Sequence, residues 1–252
     1  MGRARNVGCL LLALTALRAA GAQVQAGENT PRKFRIPAAV IAPGQYVYQT
    51  TLEQNSGTTV LGTRTIAVSQ TTYAGSPVWL LLETRAGDGI PAADSLLAGI
   101  VDLHPVHWSS NLGGARLAAE FRGDTVFGAT SAPAGRRSMV AAVPSGTMIS
   151  GAMLETVLRL LPLQTGWEDS TGTLSISLNG NMVIPTRMSV IGEDRVRVPA
   201  GTYDCWVVAV HADVGRGMYW VTKTDPIVVR SVLDVPAMGG AQLVSALTRV
   251  VR

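Results

Sequence analysis

Asp102, His104 and His107 are the densest set of metal-ligating residue types in this chain, gathered within one short stretch around Pro105 and Val106. Zinc requires three or four ligands converging on one point. On an extended strand, residues 102 and 104 share a face and residue 107 falls on the other. The remaining histidine, His211, lies far along the chain. The set therefore reads as ordinary strand and turn residues, and no metal or other cofactor is expected. Nucleophilic chemistry finds no better footing. The chain contains no Gly-x-Ser-x-Gly run, which would place a serine on a strained strand-to-helix turn. Ser145-Gly146 and Ser150-Gly151 sit in a Pro/Gly-marked stretch, where serine turns or caps the chain. Glu168-Asp169 and Glu193-Asp194 are adjacent pairs, and neighbours on a strand point to opposite faces, so neither makes an acid dyad. Gly113-Gly114 is too minimal for a phosphate loop. Arg122-Gly123-Asp124 spells an adhesion tripeptide but has the composition of a hairpin tip. No catalytic residue is assigned, although an undetected enzyme site stays open.

Two tryptophans carry a softer signal. Trp206 and Trp220 fall on neighbouring predicted strands and could pair across a hairpin. They are read either as core packing or as the lining of an apolar ligand-binding cavity inside a curved sheet.

The elements that position these residues begin after a leader-like segment. Arg3 and Arg5 are followed by the apolar run Val7–Leu17 and by Ala20-Gly21-Ala22, the order of a secretory signal with cleavage after Ala22. The apolar run is too short to span a bilayer, which needs about 20 residues, and Cys9 is misplaced for lipid attachment. The expected protein is exported, periplasmic or extracellular, and carries no transmembrane span once mature. Residues 1–22 form the signal, 23–38 a flexible lead-in marked by Pro31 and Pro37, and 39–252 a single domain. Without Arg3, Arg5 and Arg18 the chain keeps 18 basic against 17 acidic residues, a net charge of +1 in place of +4. Nucleic-acid binding loses its electrostatic support at that balance. Cys205 is left without an internal disulfide partner, and its setting Tyr203-Asp204-Cys205-Trp206-Val207 reads as a buried strand.

The composition, 47% hydrophobic and 15% charged, supports a packed core and argues against disorder. Short β-type runs follow one another: 45–54 and 58–69 about Asn55-Ser56-Gly57, 78–83, 95–103, 106–108, then 116–121 and 125–127. Met153, Leu154, Val157, Leu158 and Leu161 recur at helical spacing between a Ser150 cap and a Pro162 stop, with Glu155 and Arg159 spaced for an ion pair. Strands resume at 174–178 and 182–189 about Asn179-Gly180, and at 196–198 before Pro199-Ala200-Gly201. Runs 203–211 and 218–222 flank Gly215-Arg216-Gly217, and 227–235 and 242–251 close the chain. Strands linked by short turns, without alternating long helices, predict a mainly β fold. The expected form is one antiparallel curved sheet, a barrel or half-barrel of about ten to twelve strands with one short helix packed on it. A membrane-spanning barrel is disfavoured by uneven strand lengths and only 13 aromatic residues.

The C-terminal third then supplies an ordered set of motifs. Arg197-Val198-Pro199-Ala200-Gly201-Thr202-Tyr203-Asp204-Cys205-Trp206 precedes Met218-Tyr219-Trp220-Val221-Thr222-Lys223 and Ile227-Val228-Val229-Arg230-Ser231. Upstream stand Val101-Asp102-Leu103-His104-Pro105-Val106 and Arg122-Gly123-Asp124-Thr125-Val126. In this order they resemble the exported bacterial proteins grouped as domain of unknown function 3108, over about residues 44–235. The resemblance implies an antiparallel β-barrel-like domain and no catalytic residue. Three functions follow as expectations: an envelope protein that binds or carries an apolar or lipid-like ligand, a structural or protein-interaction module of the envelope with a protein partner, and an envelope hydrolase.

Overall fold

The computed structural model describes residues 41–252 except 88–91, 134, 145, 150, 178–179 and 213–214. The signal segment and the lead-in lie outside the described residues. Among the described residues fifteen strands form one sheet. β1 (Gly44–Gln54), β2 (Gly57–Tyr73), β3 (Ser76–Ala86), β4 (Ala92–Gly99), β5 (Pro105–Leu112), β6 (Ala115–Arg122), β7 (Thr125–Ala132) and β8 (Gly135–Ala142) make a consecutive antiparallel meander. β10 (Glu168–Ser177), β11 (Gly180–Val198), β12 (Gly201–Ala212), β13 (Gly215–Thr222), β14 (Val228–Val235) and β15 (Ala241–Val251) make a second. The two join where β15 pairs with β1. The short β9 (Met148–Ile149) lies parallel to β10 and forms one margin of the sheet, β8 the other. The expected curved antiparallel sheet with a short helix is what the chain forms, mixed only at β9 and not closed. The strand count exceeds the expected ten to twelve; among the strands not expected are the two-residue β9 and β8, whose first half, Gly135-Arg136-Arg137-Ser138, carries little β signal.

Short turns set the register. Val198 pairs with Gly201 across Pro199-Ala200, as the Pro-x-Gly spacing predicts. Arg122 pairs with Thr125, so Gly123-Asp124 is a hairpin tip. Two expectations shift. Ser177 pairs with Gly180, which puts Gly180 on β11 and not in the turn. Gly215, Arg216 and Gly217 are strand residues, because β12 and β13 pair out to Ala212 and Gly215. Bulges at Val47/Tyr48, Thr50/Thr51, Val190/Gly192 and Trp220/Val221 interrupt the ladders, and such irregularities bend a sheet.

The concave face of the sheet holds the core. Tyr46 and Tyr48, Ile66 and Val68, Trp79 and Leu81, and Leu96 and Ala98 are buried two apart along successive strands, the period of one sheet face. The helix α1 (Ala152–Leu158) packs into this concavity through Met153, Leu154, Val157 and Leu158, all in the same buried cluster. At seven residues it is shorter than predicted. Leu160 N–H already bonds the Val157 carbonyl in a tighter turn, and the residue before Pro162 is barred from helical backbone. Ser150 lies outside the described residues; Gly151 occupies the N-cap position with φ of +85° and no side-chain cap. Across the open seam, Ala119, Val126 and Val143 from the β6–β8 side pack against Leu174 of β10, which brings the two margins together without strand pairing.

Candidate functional site

The curvature leaves space on the concave side at one end of the sheet, where β1, β3 and β14 finish and β2, β13 and β15 begin. A cavity of about 360 Å³ lies there. That volume falls within the range of about 300–1,000 Å³ typical of ligand pockets. Its wall is apolar, formed by Leu52, Leu61, Val210, Leu233, Val235 and Leu243. Two glycines shape its rim. Gly62 and Gly87 approach so closely that a Cβ on Gly62 would stand 2.1 Å from the Ala86 carbonyl oxygen.

The base of the cavity is ionic. Arg64 stands in the inward register of Ile66 and Val68, and Glu83 in that of Trp79 and Leu81, so strand alternation turns both charges into the core. α1 brings Glu155 to them. Arg64 makes a two-pronged pair with Glu83, Nε to Oε1 at 3.0 Å and Nη2 to Oε2 at 3.0 Å. Its Nη1 donates to Glu155 Oε1 at 2.6 Å. Arg85 donates to the same Glu83 from Nε at 2.9 Å and reaches Asp94 Oδ2 from Nη2 at 3.3 Å. The Arg64 guanidinium also lies 5.6 Å from the centre of the Tyr48 ring, whose hydroxyl donates to the Val228 carbonyl.

The carboxyls respond differently. Burial alone would raise Glu83, but the charges and hydrogen bonds of Arg64 and Arg85 outweigh it and hold the group at about 2. Burial raises Glu155 above its ordinary value, only partly countered by Arg64, and Glu83 adds to the rise. Burial likewise raises Asp94 and the Tyr48 and Tyr219 hydroxyls. Glu155 Oε2 is buried and has no hydrogen-bond partner among the described residues. A site of this make-up can seat an apolar body against its wall and a polar head on its floor.

The sequence-predicted residues lie elsewhere. Trp206 sits opposite Val221 and Trp220 opposite Val207, so the indoles occupy opposite faces of the β12–β13 hairpin and do not pair. Neither is among the residues that line this cavity. Lys223 Nζ lies 4.3 Å from the Trp206 ring centre, while the Trp220 Nε1–H donates to Asp194 Oδ2 at 2.9 Å. The predicted Glu155–Arg159 pair gives way to other partners: Glu155 takes Arg64, and Arg159 bonds the Pro226 carbonyl and the Tyr46 hydroxyl. Asp102, His104 and His107 also separate. Asp102 accepts from the His104 backbone N–H, and His107 Nδ1 lies 2.7 Å from Glu120 Oε1, which also accepts from the Tyr73 hydroxyl. Among the described residues no group of three His, Cys, Asp or Glu is placed to hold a metal ion. Glu193 pairs with Lys223 while its neighbour Asp194 bonds Trp220, which keeps that acid pair apart. Cys205 is fully buried, as its strand setting predicts, and burial pushes its thiol up to about 12.

Arg64, Glu83 and Glu155 were not singled out from sequence as a site. The usable signal is a charged residue standing in a buried register, Arg64 two before Ile66 and Glu83 two after Leu81. No helix among the described residues is long and apolar enough to cross a membrane. Residues 46–241 match the family model described as protein of unknown function (DUF3108). No curated protein and no solved structure matches the chain.

Proposed function

The chain belongs to the DUF3108 family, a family of unknown function, and on that premise we propose that it is an exported envelope protein that binds or carries an apolar, lipid-like ligand in the concavity of its sheet. The observation that carries this reading is the cavity of about 360 Å³, apolar over most of its wall and with buried charges at its base. A core packed for stability alone leaves few voids larger than a water molecule. A pocket of ligand size with a small number of polar groups at one end is the usual form of a small-molecule site. Export is supported by Arg3, Arg5, the apolar run Val7–Leu17 and Ala20-Gly21-Ala22.

Native mass spectrometry tests both parts. The full chain is expressed in a bacterial host and recovered from the periplasmic extract without detergent. The expected result is a polypeptide beginning at Gln23, with an added mass that organic solvent releases as a lipid. A bare polypeptide mass would sink the tightly held ligand. An uncleaved chain confined to the cytoplasm would sink export.

A further inference from the structure

We propose that the ligand's head group is a hydrogen-bond donor, an alkyl ammonium foremost, received by Glu155 Oε2 at the floor of the cavity. This deepens the ligand-binding reading and rests on it. The arginines at the floor would at first sight favour an anionic head. Most of their nitrogens, however, are already engaged. Each of the three nitrogens of Arg64 already faces a carboxylate oxygen: Nε and Nη2 face Glu83, and Nη1 faces Glu155. Nε and Nη2 of Arg85 are held by Glu83, and Nη2 also by Asp94. Apart from Arg85 Nη1, on a side chain 36% exposed, what the floor leaves over is an acceptor. Glu155 lines the cavity, its side chain is 7% exposed, and its Oε2 has no partner among the described residues.

A buried carboxylate oxygen without a donor is costly, and a ligand that supplies one recovers that cost. Charge points the same way. Glu83, Glu155 and Asp94 meet Arg64 and Arg85 in direct ion pairs, while Arg159, a further cation acting on Glu155, directs its hydrogen bonds to the Pro226 carbonyl and the Tyr46 hydroxyl. The mouth adds no balance of its own, since Arg216 and Asp234 line it with one charge of each sign. A cationic head also counters the burial that raises the Glu155 carboxyl, by favouring its charged form.

The test is calorimetric titration of the detergent-free protein with dodecylamine, dodecanol, dodecanoate and methyl dodecanoate, each below its micelle concentration. The amine is expected to bind tightest and the alcohol next. The amine should exceed dodecanoate by about tenfold or more, the size of one charge-assisted hydrogen bond. Glu155→Gln should cancel the amine's advantage and leave the alkyl chain bound. Leu233→Trp, whose ring grows into the cavity over Gly217, should abolish all four. Dodecanoate binding as tightly as the amine, or four equal affinities, would overturn the head-group inference while the cavity reading stands. Failure of all four to bind wild type would overturn the cavity reading itself. If Glu155→Gln does not give the wild-type circular dichroism spectrum, the ranking on wild type decides alone.

Discussion

Arg64→Met probes the floor of the cavity most directly. The substitution keeps much of the side chain's length and removes its charge. Glu83 then retains Arg85 at 2.8 Å, but Glu155 loses the partner that donates to it at 2.6 Å. Removing one member of a buried ion pair costs about 3–5 kcal/mol, because the remaining charge is left uncompensated. That is a large part of the stability of an ordinary domain. Arg64→Met combined with Glu155→Gln should recover about 2 kcal/mol or more of this loss, since contacting charged groups couple strongly.

The pH dependence gives the sign. In wild type, Glu83 is held at about 2 against an ordinary 4.5. Its contribution, about 3 kcal/mol, is therefore present above pH 4.5 and lost as pH falls towards 2. Glu155 is raised, so its effect is the reverse: it favours folding at low pH and disfavours it as pH rises. Without Arg64 that rise grows. The variant should lose stability relative to wild type between about pH 5 and about pH 7. Urea unfolding followed by tryptophan fluorescence at both pH values reads the difference. A loss below about 1 kcal/mol at neutral pH, or a gap that narrows as pH rises, would refute the reasoning.

Gly62→Ala should destabilise the protein by about 2 kcal/mol or more, because Gly62 has φ of +130° and the new Cβ would meet the Ala86 carbonyl. Thermal unfolding checks it, and a melting temperature at the wild-type value would contradict the close approach of β2 and β3. Cys205, fully buried with its thiol pushed up to about 12, should resist thiol reagents in the native protein at mildly alkaline pH and react on unfolding. Labelling followed by mass spectrometry reads this, and rapid native labelling would contradict the burial.

Local chemistry was legible in the sequence because it acts over a few residues. The period-two alternation of Tyr46, Tyr48 and Leu52 marks β1, and Pro199-Ala200-Gly201 specifies its turn by the backbone angles those residues accept. The ordered motifs of the last third pointed to the family, and the strand-and-short-turn rhythm to a curved antiparallel sheet. Even local signals misled where a tertiary partner competed. Glu155 and Arg159 have ideal helical spacing, yet an exposed pair of that kind is worth a few tenths of a kcal/mol. Arg64 outcompetes it from another strand.

The site itself was decided by tertiary structure. Glu83 lies 19 residues from Arg64, and Glu155 lies 91 from it. No spacing rule joins them; the β2–β3 register and the seating of α1 in the concavity do. Trp206 and Trp220 show the converse. They were neighbours by strand assignment, but a register that pairs Trp206 with Val221 turns the two rings to opposite faces. Sequence patterning determines which side of each strand is buried. Only the curvature of the whole sheet determines what the buried sides enclose, because that shape is the sum of bulges, twist and a helix that no single segment encodes.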